Sequence, residues 1–353
     1  MTTPQQQVVI ALQQGDERLV RELLQREDVD AAYQNEDTGE SLLMLAAGLG
    51  LADSVTALLS HGAPWNAIDR NGKCAGEYAL DHGHQTIVDC LVTAGVTAEL
   101  IFGEISKTEM VAQPRNQSYL DGKATYLPGS DVLLEEGTND GVMMEWERPI
   151  MHAHAMAMAN QPRKSVLNIG FGLGIIDEYF RDILAPKRHV ISEAHPDVLK
   201  EMQTRGWGTN AVPGRWQDSL ERLVELGPYD CIYFDTFGEH LDDMREFHAQ
   251  LPRLLAKPDG MYSFFNGMCP NNIFFQGVAC EVVRLDLENM GLQCEFHGME
   301  VDSGDDGVWK DIARRYFSSN CYYLPMARWI PTNQPVVVHR RDRKRNNPNK
   351  GGA

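Results

Sequence analysis

Beyond Tyr119 the chain alternates two patterns of apolar positions. Short apolar runs bounded by glycine, proline or charge predict strands near 123–127, 131–135, 165–170, 188–193, 209–214, 229–234, 259–265, 292–301 and 319–325. Between them, helical spacing predicts helices at about 145–159, 174–183, 196–204, 217–225, 241–256 and 271–290. Strands alternating with helices give a mostly parallel sheet covered on both faces, with ligands at the carboxyl ends of its strands.

The first hundred residues instead repeat with a period of 33. Gly39 aligns with Gly72, Ala46 with Ala79, Gly50 with Gly83, and Gly62 with Gly95, while Leu58 and Leu59 align with Leu91 and Val92. The segment 39–47 has the turn-and-helix pattern of an ankyrin repeat, residues 53–60 make its second helix, and a weaker copy begins near Val8. Such repeats bury their apolar faces only by stacking, so a short array must lean on the rest of the protein. Partner binding and capping of the following domain are both open to it. The expected organisation is ankyrin-like repeats over 1–98, a connector over 99–118, an α/β domain over 119–331 and a basic disordered tail over 332–353.

Within the α/β domain, Val166, Leu167 and Ile169 form an apolar strand that runs into Gly170-Phe-Gly-Leu-Gly174 and then a helix. A glycine turn between strand and helix lets backbone approach a ligand, and an acidic residue about 20 positions on takes ribose hydroxyls. Glu193 stands at that distance. The turn reads G-x-G-x-G, not G-x-G-x-x-G, and no G-K-[ST] follows it. That suits a ligand with an adenosine and no phosphates, such as S-adenosylmethionine, and Gly172 is expected to leave room for it. Gln217 and Asp218 follow the next strand, and Asp235 ends the one after. Trp216 and Gln217 are expected at the adenine, and Asp235 toward an acceptor. Capping the next segment is the alternative task for Asp235. In Gly141-Val-Met-Met-Glu-Trp-Glu-Arg-Pro-Ile-Met-His152, Glu145 and Glu147 either cap a helix begun by Pro149 or face a pocket.

Composition narrows the function. At 43% hydrophobic the chain builds full cores, and it has no run of 18 apolar residues. The opening Met-Thr-Thr-Pro-Gln-Gln-Gln lacks the pattern of a secretory leader. Seven cysteines without a C-x-x-C pair favour free thiols in a reducing compartment. His152 and His154 read as structural or surface residues, and no metal site is expected. A formal net charge of −18 disfavours nucleic acid as substrate and favours a basic partner. The exception is the cluster Arg340, Arg341, Arg343, Lys344 and Arg345, which reads as a nuclear-import signal, an RNA contact or a plain solvated tail.

These motifs, in this order and spacing, resemble guanidinoacetate methyltransferase and its protein-modifying relative, the fungal-type protein arginine delta-N-methyltransferase (type IV). The ankyrin-like front end, with residues 140–147, 193–200 and 263–267, resembles the second far better, and the likeness runs from about 8 to 330. It implies a class I S-adenosylmethionine-dependent methyltransferase domain (Rossmann-like) preceded by a short all-α ankyrin-repeat domain. It also implies methylation of the internal (delta) guanidino nitrogen of a protein arginine, with a basic large-subunit ribosomal protein as substrate class and cytoplasm and nucleus as location. By the same resemblance Glu147 and Asp235 grip the guanidino group, and Asp235 also borders the cofactor. Tyr119, Met143 and Met151 pack around the cofactor, and Phe171, Gly172, Leu173, Gly174, Ile175 and Ile176 form its glycine loop. Glu193, Ala194 and His195 take the ribose and adenine edge, with Trp216 and Gln217 on the adenine side. Phe237 stands where the small-molecule enzyme has tyrosine, and Gln217 where it has glutamate. A non-catalytic ankyrin adaptor and a small-molecule guanidino methyltransferase are the competing readings.

Overall fold

The computed structural model describes residues 2–106, 116–127, 131–239, 241–304, 307–310 and 312–331. Residues 107–115 of the expected connector, and all of the expected basic tail, lie outside them.

Three helix pairs open the chain: Pro4–Gln13 with Glu17–Leu23, Leu42–Gly48 with Ala52–Ser60, and Ala75–Asp81 with Gln85–Ser106. Thr3, Asp16 and Ser41 cap their helices by accepting a backbone N–H three residues on. The repeating glycines turn the chain in left-handed conformation, φ +76° at Gly39 and +80° at Gly72, where a side chain is strained. Gly95 breaks the pattern. It lies inside the 22-residue helix Gln85–Ser106, which runs through the boundary expected at 98. A Cβ there would sit 2.9 Å from the Trp65 ring and 3.1 Å from Val278. Its glycine serves close packing, not a turn.

The α/β domain begins with a three-stranded antiparallel sheet, β1 (Ala124–Tyr126), β2 (Val132–Glu135) and β3 (Gly141–Met144). The third strand was not expected from the sequence. It follows a turn in which Gly137 and Asn139 take positive φ, and it pairs with β2 instead of leading the next helix. The large sheet contains β4 (Ser165–Ile169), β5 (Arg188–Glu193), β6 (Ala211–Pro213), β7 (Cys231–Phe234), β8 (Met261–Phe264), β9 (Leu292–Glu300) and β10 (Cys321–Trp329). Their order is β6-β5-β4-β7-β8-β10-β9, parallel from β6 to β8 and antiparallel at β10 and β9. All residues of β4, β7 and β8 are buried, as expected for central strands covered on both faces. The helices follow the expected order. The helix expected at 174–183 is an α-helix over Ile175–Tyr179 continued by a π turn, and that at 241–256 divides into Leu241–His248 and Leu251–Leu254.

The two parts share a core. Phe274, Val278 and Val282 of the helix Ile273–Asn289 are buried in the same cluster as the repeat residues Val8, Leu42, Leu58 and Leu91. The Phe274 ring fills the space a side chain would need at Gly76, where a Cβ would lie 2.1 Å from it. Asn272 Nδ2 donates to Glu77 Oε2 at 2.6 Å, and the Trp65 ring meets Phe275 edge-on. No helix of the described residues is long and apolar enough to cross a membrane.

Candidate active site

A cavity of about 270 Å³ opens at the carboxyl ends of β4, β5 and β7, where strand order reverses on either side of β4. Its floor is the glycine turn. Gly170, Gly172 and Gly174 all take positive φ, and a Cβ at Gly170 would lie 1.9 Å from the Asp235 carbonyl oxygen. That glycine lets the ends of β4 and β7 touch. Asn168 Nδ2 donates to the Gly170 carbonyl oxygen at 2.6 Å and to Asp177 Oδ2 at 2.8 Å, which fixes the turn from beneath. Gly172 lines the cavity, and a Cβ there would lie 2.8 Å from Sδ of Met143, which lines it too. Met143 Sδ also accepts the Leu173 N–H at 3.3 Å, so β3 buttresses the loop.

Glu193, at the end of β5, is buried and lines the cavity. Its Oε2 accepts the Phe171 N–H at 2.8 Å and its Oε1 the His195 N–H at 2.7 Å. Burial raises its pKa, and these backbone donors oppose that. Each oxygen keeps a further lone pair for a ligand hydroxyl.

Glu147 reaches the cavity from a 3₁₀ turn, Glu145–Glu147, between β3 and the helix Arg148–Met158, in which Pro149 occupies the first turn. Its Oε1 accepts the Met144 N–H at 2.9 Å and the Tyr316 hydroxyl at 2.6 Å. Burial pushes its pKa up to about 7 in spite of those two donors. Asp235 follows β7, and its backbone N–H donates to the Ile169 carbonyl at 2.9 Å. Its accessible surface faces the cavity, and burial, with the Glu147 carboxylate adding to it, holds its pKa well above the usual range. Two carboxyls so arranged accept a cation readily, because a cation restores the charge that burial suppresses.

The remaining expected residues divide. Tyr119, Met143, Phe171, Gly172, Ile176, Ala194 and Trp216 line the cavity. Leu173, Gly174, Ile175, Met151, His195 and Gln217 do not. Met151 is fully buried below the site, where its sulfur accepts the Tyr233 hydroxyl at 3.3 Å. His195 caps the helix Pro196–Thr204 and holds the Tyr119 carbonyl at 3.1 Å. Trp216 Nε1 donates to Glu239 Oε2 at 3.1 Å and Gln217 Nε2 to Glu239 Oε1 at 3.0 Å, so Glu239 holds both side chains, while Gln217 Oε1 is buried without a protein partner. His154 is a core residue bonded to Ser263 and Tyr322.

Sequence reasoning missed Asn116, Glu239, Arg314, Tyr316 and Phe317 in the cavity wall. Arg314, Tyr316 and Phe317 come from the connection between β9 and β10, which carries no motif. Asn116 Oδ1 and Ser192 Oγ are buried in residues of the wall without a protein partner, which marks them for a polar ligand. These orphan atoms, the backbone exposed by the glycine turn and Glu193 together fit an adenosine-bearing ligand.

Comparison with known proteins agrees with both halves of the chain. Residues 8–100 match the ankyrin-repeat family in three copies, and residues 112–271 match the guanidinoacetate N-methyltransferase family. The chain is 31% identical over 363 residues to protein arginine N-methyltransferase 2 of Candida glabrata, covering 85% of this chain and 87% of that one. The protein of that name from Eremothecium gossypii is 34% identical, with 76% of this chain and 77% of the relative covered. That of Yarrowia lipolytica is 41% identical over 222 residues, 59% of this chain and 46% of the relative. The chain belongs to the family of methyltransferases named protein arginine N-methyltransferase 2.

Proposed function

We propose that the chain transfers a methyl group from S-adenosylmethionine to the internal (delta) nitrogen of an arginine in a basic protein. A large-subunit ribosomal protein is the proposed substrate class, and cytoplasm and nucleus are the proposed locations. The observation that carries this reading is the pair Glu147, buried, and Asp235, half-buried, two carboxyls on one cavity whose other wall holds Glu193 and the glycine turn. The relatives' name, protein arginine N-methyltransferase 2, supports arginine as the acceptor.

Glu193 would hold the cofactor's ribose, the backbone of the glycine turn its flank, and Tyr119 and Trp216 its adenine side. When bound, the cofactor supplies an activated methyl on a sulfonium. The residues of the chain must do the rest. A guanidinium is protonated at all ordinary pH and offers no lone pair of consequence. Glu147 and Asp235 hold its planar fork, draw positive charge toward the gripped nitrogens and orient the target nitrogen. As that nitrogen takes the methyl it loses a proton. Burial makes both carboxyls more basic; Asp235, held well above the usual range, accepts the proton, and Glu147 serves as the clamp.

Incubation with methyl-labelled S-adenosylmethionine and a ribosomal fraction, followed by hydrolysis and mass spectrometry against synthetic delta- and omega-methylarginine, tests this. Delta-methylarginine is the expected product. Label on the terminal nitrogens alone refutes the regiochemistry, and no labelled arginine refutes the substrate. The match over residues 112–271 keeps one competitor in view, and guanidinoacetate in the same assay should stay unlabelled.

A further inference from the structure

The grip on the acceptor is unsymmetrical. An sp² carboxylate oxygen offers about two in-plane acceptor positions. On Glu147 Oε1 both are taken, by the Met144 N–H at 2.9 Å and the Tyr316 hydroxyl at 2.6 Å. The tyrosine is held in place by its surroundings. Its ring packs against Trp309 at 5.0 Å and Trp146 at 5.8 Å between centroids. It also lies so close to β3 that a Cβ on Gly141 would sit 2.9 Å from its Cε1. Gly141 is not in a left-handed conformation, so its lack of a side chain serves this approach.

We propose that Tyr316 is a positioning residue that reserves Oε1 of Glu147, so that the arginine meets this carboxylate through Oε2 alone. The inference rests on the reading of Glu147 as the acceptor's clamp. With one oxygen available, Glu147 cannot make the two parallel bonds of a fork-to-fork pair. It holds one nitrogen, and Asp235 must hold the fork elsewhere. The guanidinium is thereby fixed in rotation within its own plane, and that rotation decides which nitrogen is presented for methylation. The Tyr316 hydroxyl also favours the charged form of Glu147 against the burial that raises its pKa. The other groups that face Glu147 are Asp235 after β7, Tyr233 of β7 and Tyr322 of β10, with Arg314 in the same wall.

The test is Tyr316→Phe in the full chain, read by pH profile and by product. Removing a donor to the carboxylate raises its pKa, so the acid limb of kcat/KM should move up by about one unit, with activity near pH 7 about fivefold lower and restored near pH 9. In the background of Glu147→Gln the same substitution should move nothing, which separates the effect from titration of Asp235. Because Oε1 is released, part of the product should carry its methyl on a terminal nitrogen. Gly141→Ala, which displaces the ring but keeps the hydroxyl, should shift limb and product ratio in the same directions by less. An unchanged pH profile and product ratio in Tyr316→Phe, alongside a strongly slowed Glu147→Gln, overturns this inference and leaves the proposed function standing. Full activity in Glu147→Gln overturns both.

Discussion

Glu147→Gln should make the protein more stable while it disables the site. The amide is nearly isosteric and its oxygen still accepts from Met144 and Tyr316. What it removes is a carboxyl that must ionise inside the fold. The folded pKa is about 7 against a reference of 4.5. A group raised in this way contributes its stability below the unfolded pKa and loses it as pH rises through the folded one. Below about pH 4.5 both states hold the proton and the group is neutral in its effect. From there to about pH 7 the unfolded chain ionises freely and the folded protein does not, so stability falls. With 1.36 kcal/mol per unit, the loss is roughly 1 kcal/mol at pH 5 and about 3 kcal/mol at pH 8. Urea melts of wild type and Glu147→Gln, without ligand, should therefore differ by about 1 kcal/mol at pH 5 and by about 3 kcal/mol at pH 8, in favour of the variant. Turnover should fall by roughly 10²–10³, the effect of losing one preorganised electrostatic contact. Equal stability at pH 8 would mean that Glu147 ionises without penalty, and the argument from burial would fail.

Two further outcomes follow from the geometry. Glu193→Ala should weaken S-adenosylmethionine binding by roughly 1.5–3 kcal/mol in calorimetry, the range for hydrogen bonds to a charged group, and wild-type affinity would refute the ribose assignment. Phe274→Ala should destabilise the whole chain by about 3–5 kcal/mol in urea melts, because it empties the space facing Gly76, and a change below ~1 kcal/mol would show that the repeats do not depend on that contact.

The sequence disclosed the elements whose information is local. The strand, the three glycines and Glu193 lie within 29 consecutive residues, and each imposes a short-range condition on the backbone. The 33-residue period was legible for the same reason, since every turn needs its glycine. Legibility failed where distance along the chain enters. Nothing near Tyr316 announces that it meets Glu147, 169 positions earlier. Gln217 has the chemistry to face an adenine, but only the fold reveals that Glu239 claims its N–H group. At Gly172 the need for glycine was visible, but its close neighbour, a methionine sulfur from β3, depended on a strand the local pattern does not signal. Gly95 matches the repeat and yet performs a different task, because periodicity does not report what stacks on the last repeat.

The interlock of Gly76 with Phe274 bears on how this chain can change over generations. Repeat modules are commonly passed between proteins as cassettes, because their ends are finished surfaces. Here the last repeat is finished by a helix of the enzyme, and a recombination event at either border would leave apolar side chains in water. The two parts must therefore be inherited together. A larger residue at position 76 becomes tolerable only after position 274 has shrunk, so the contact binds the two positions into one constraint.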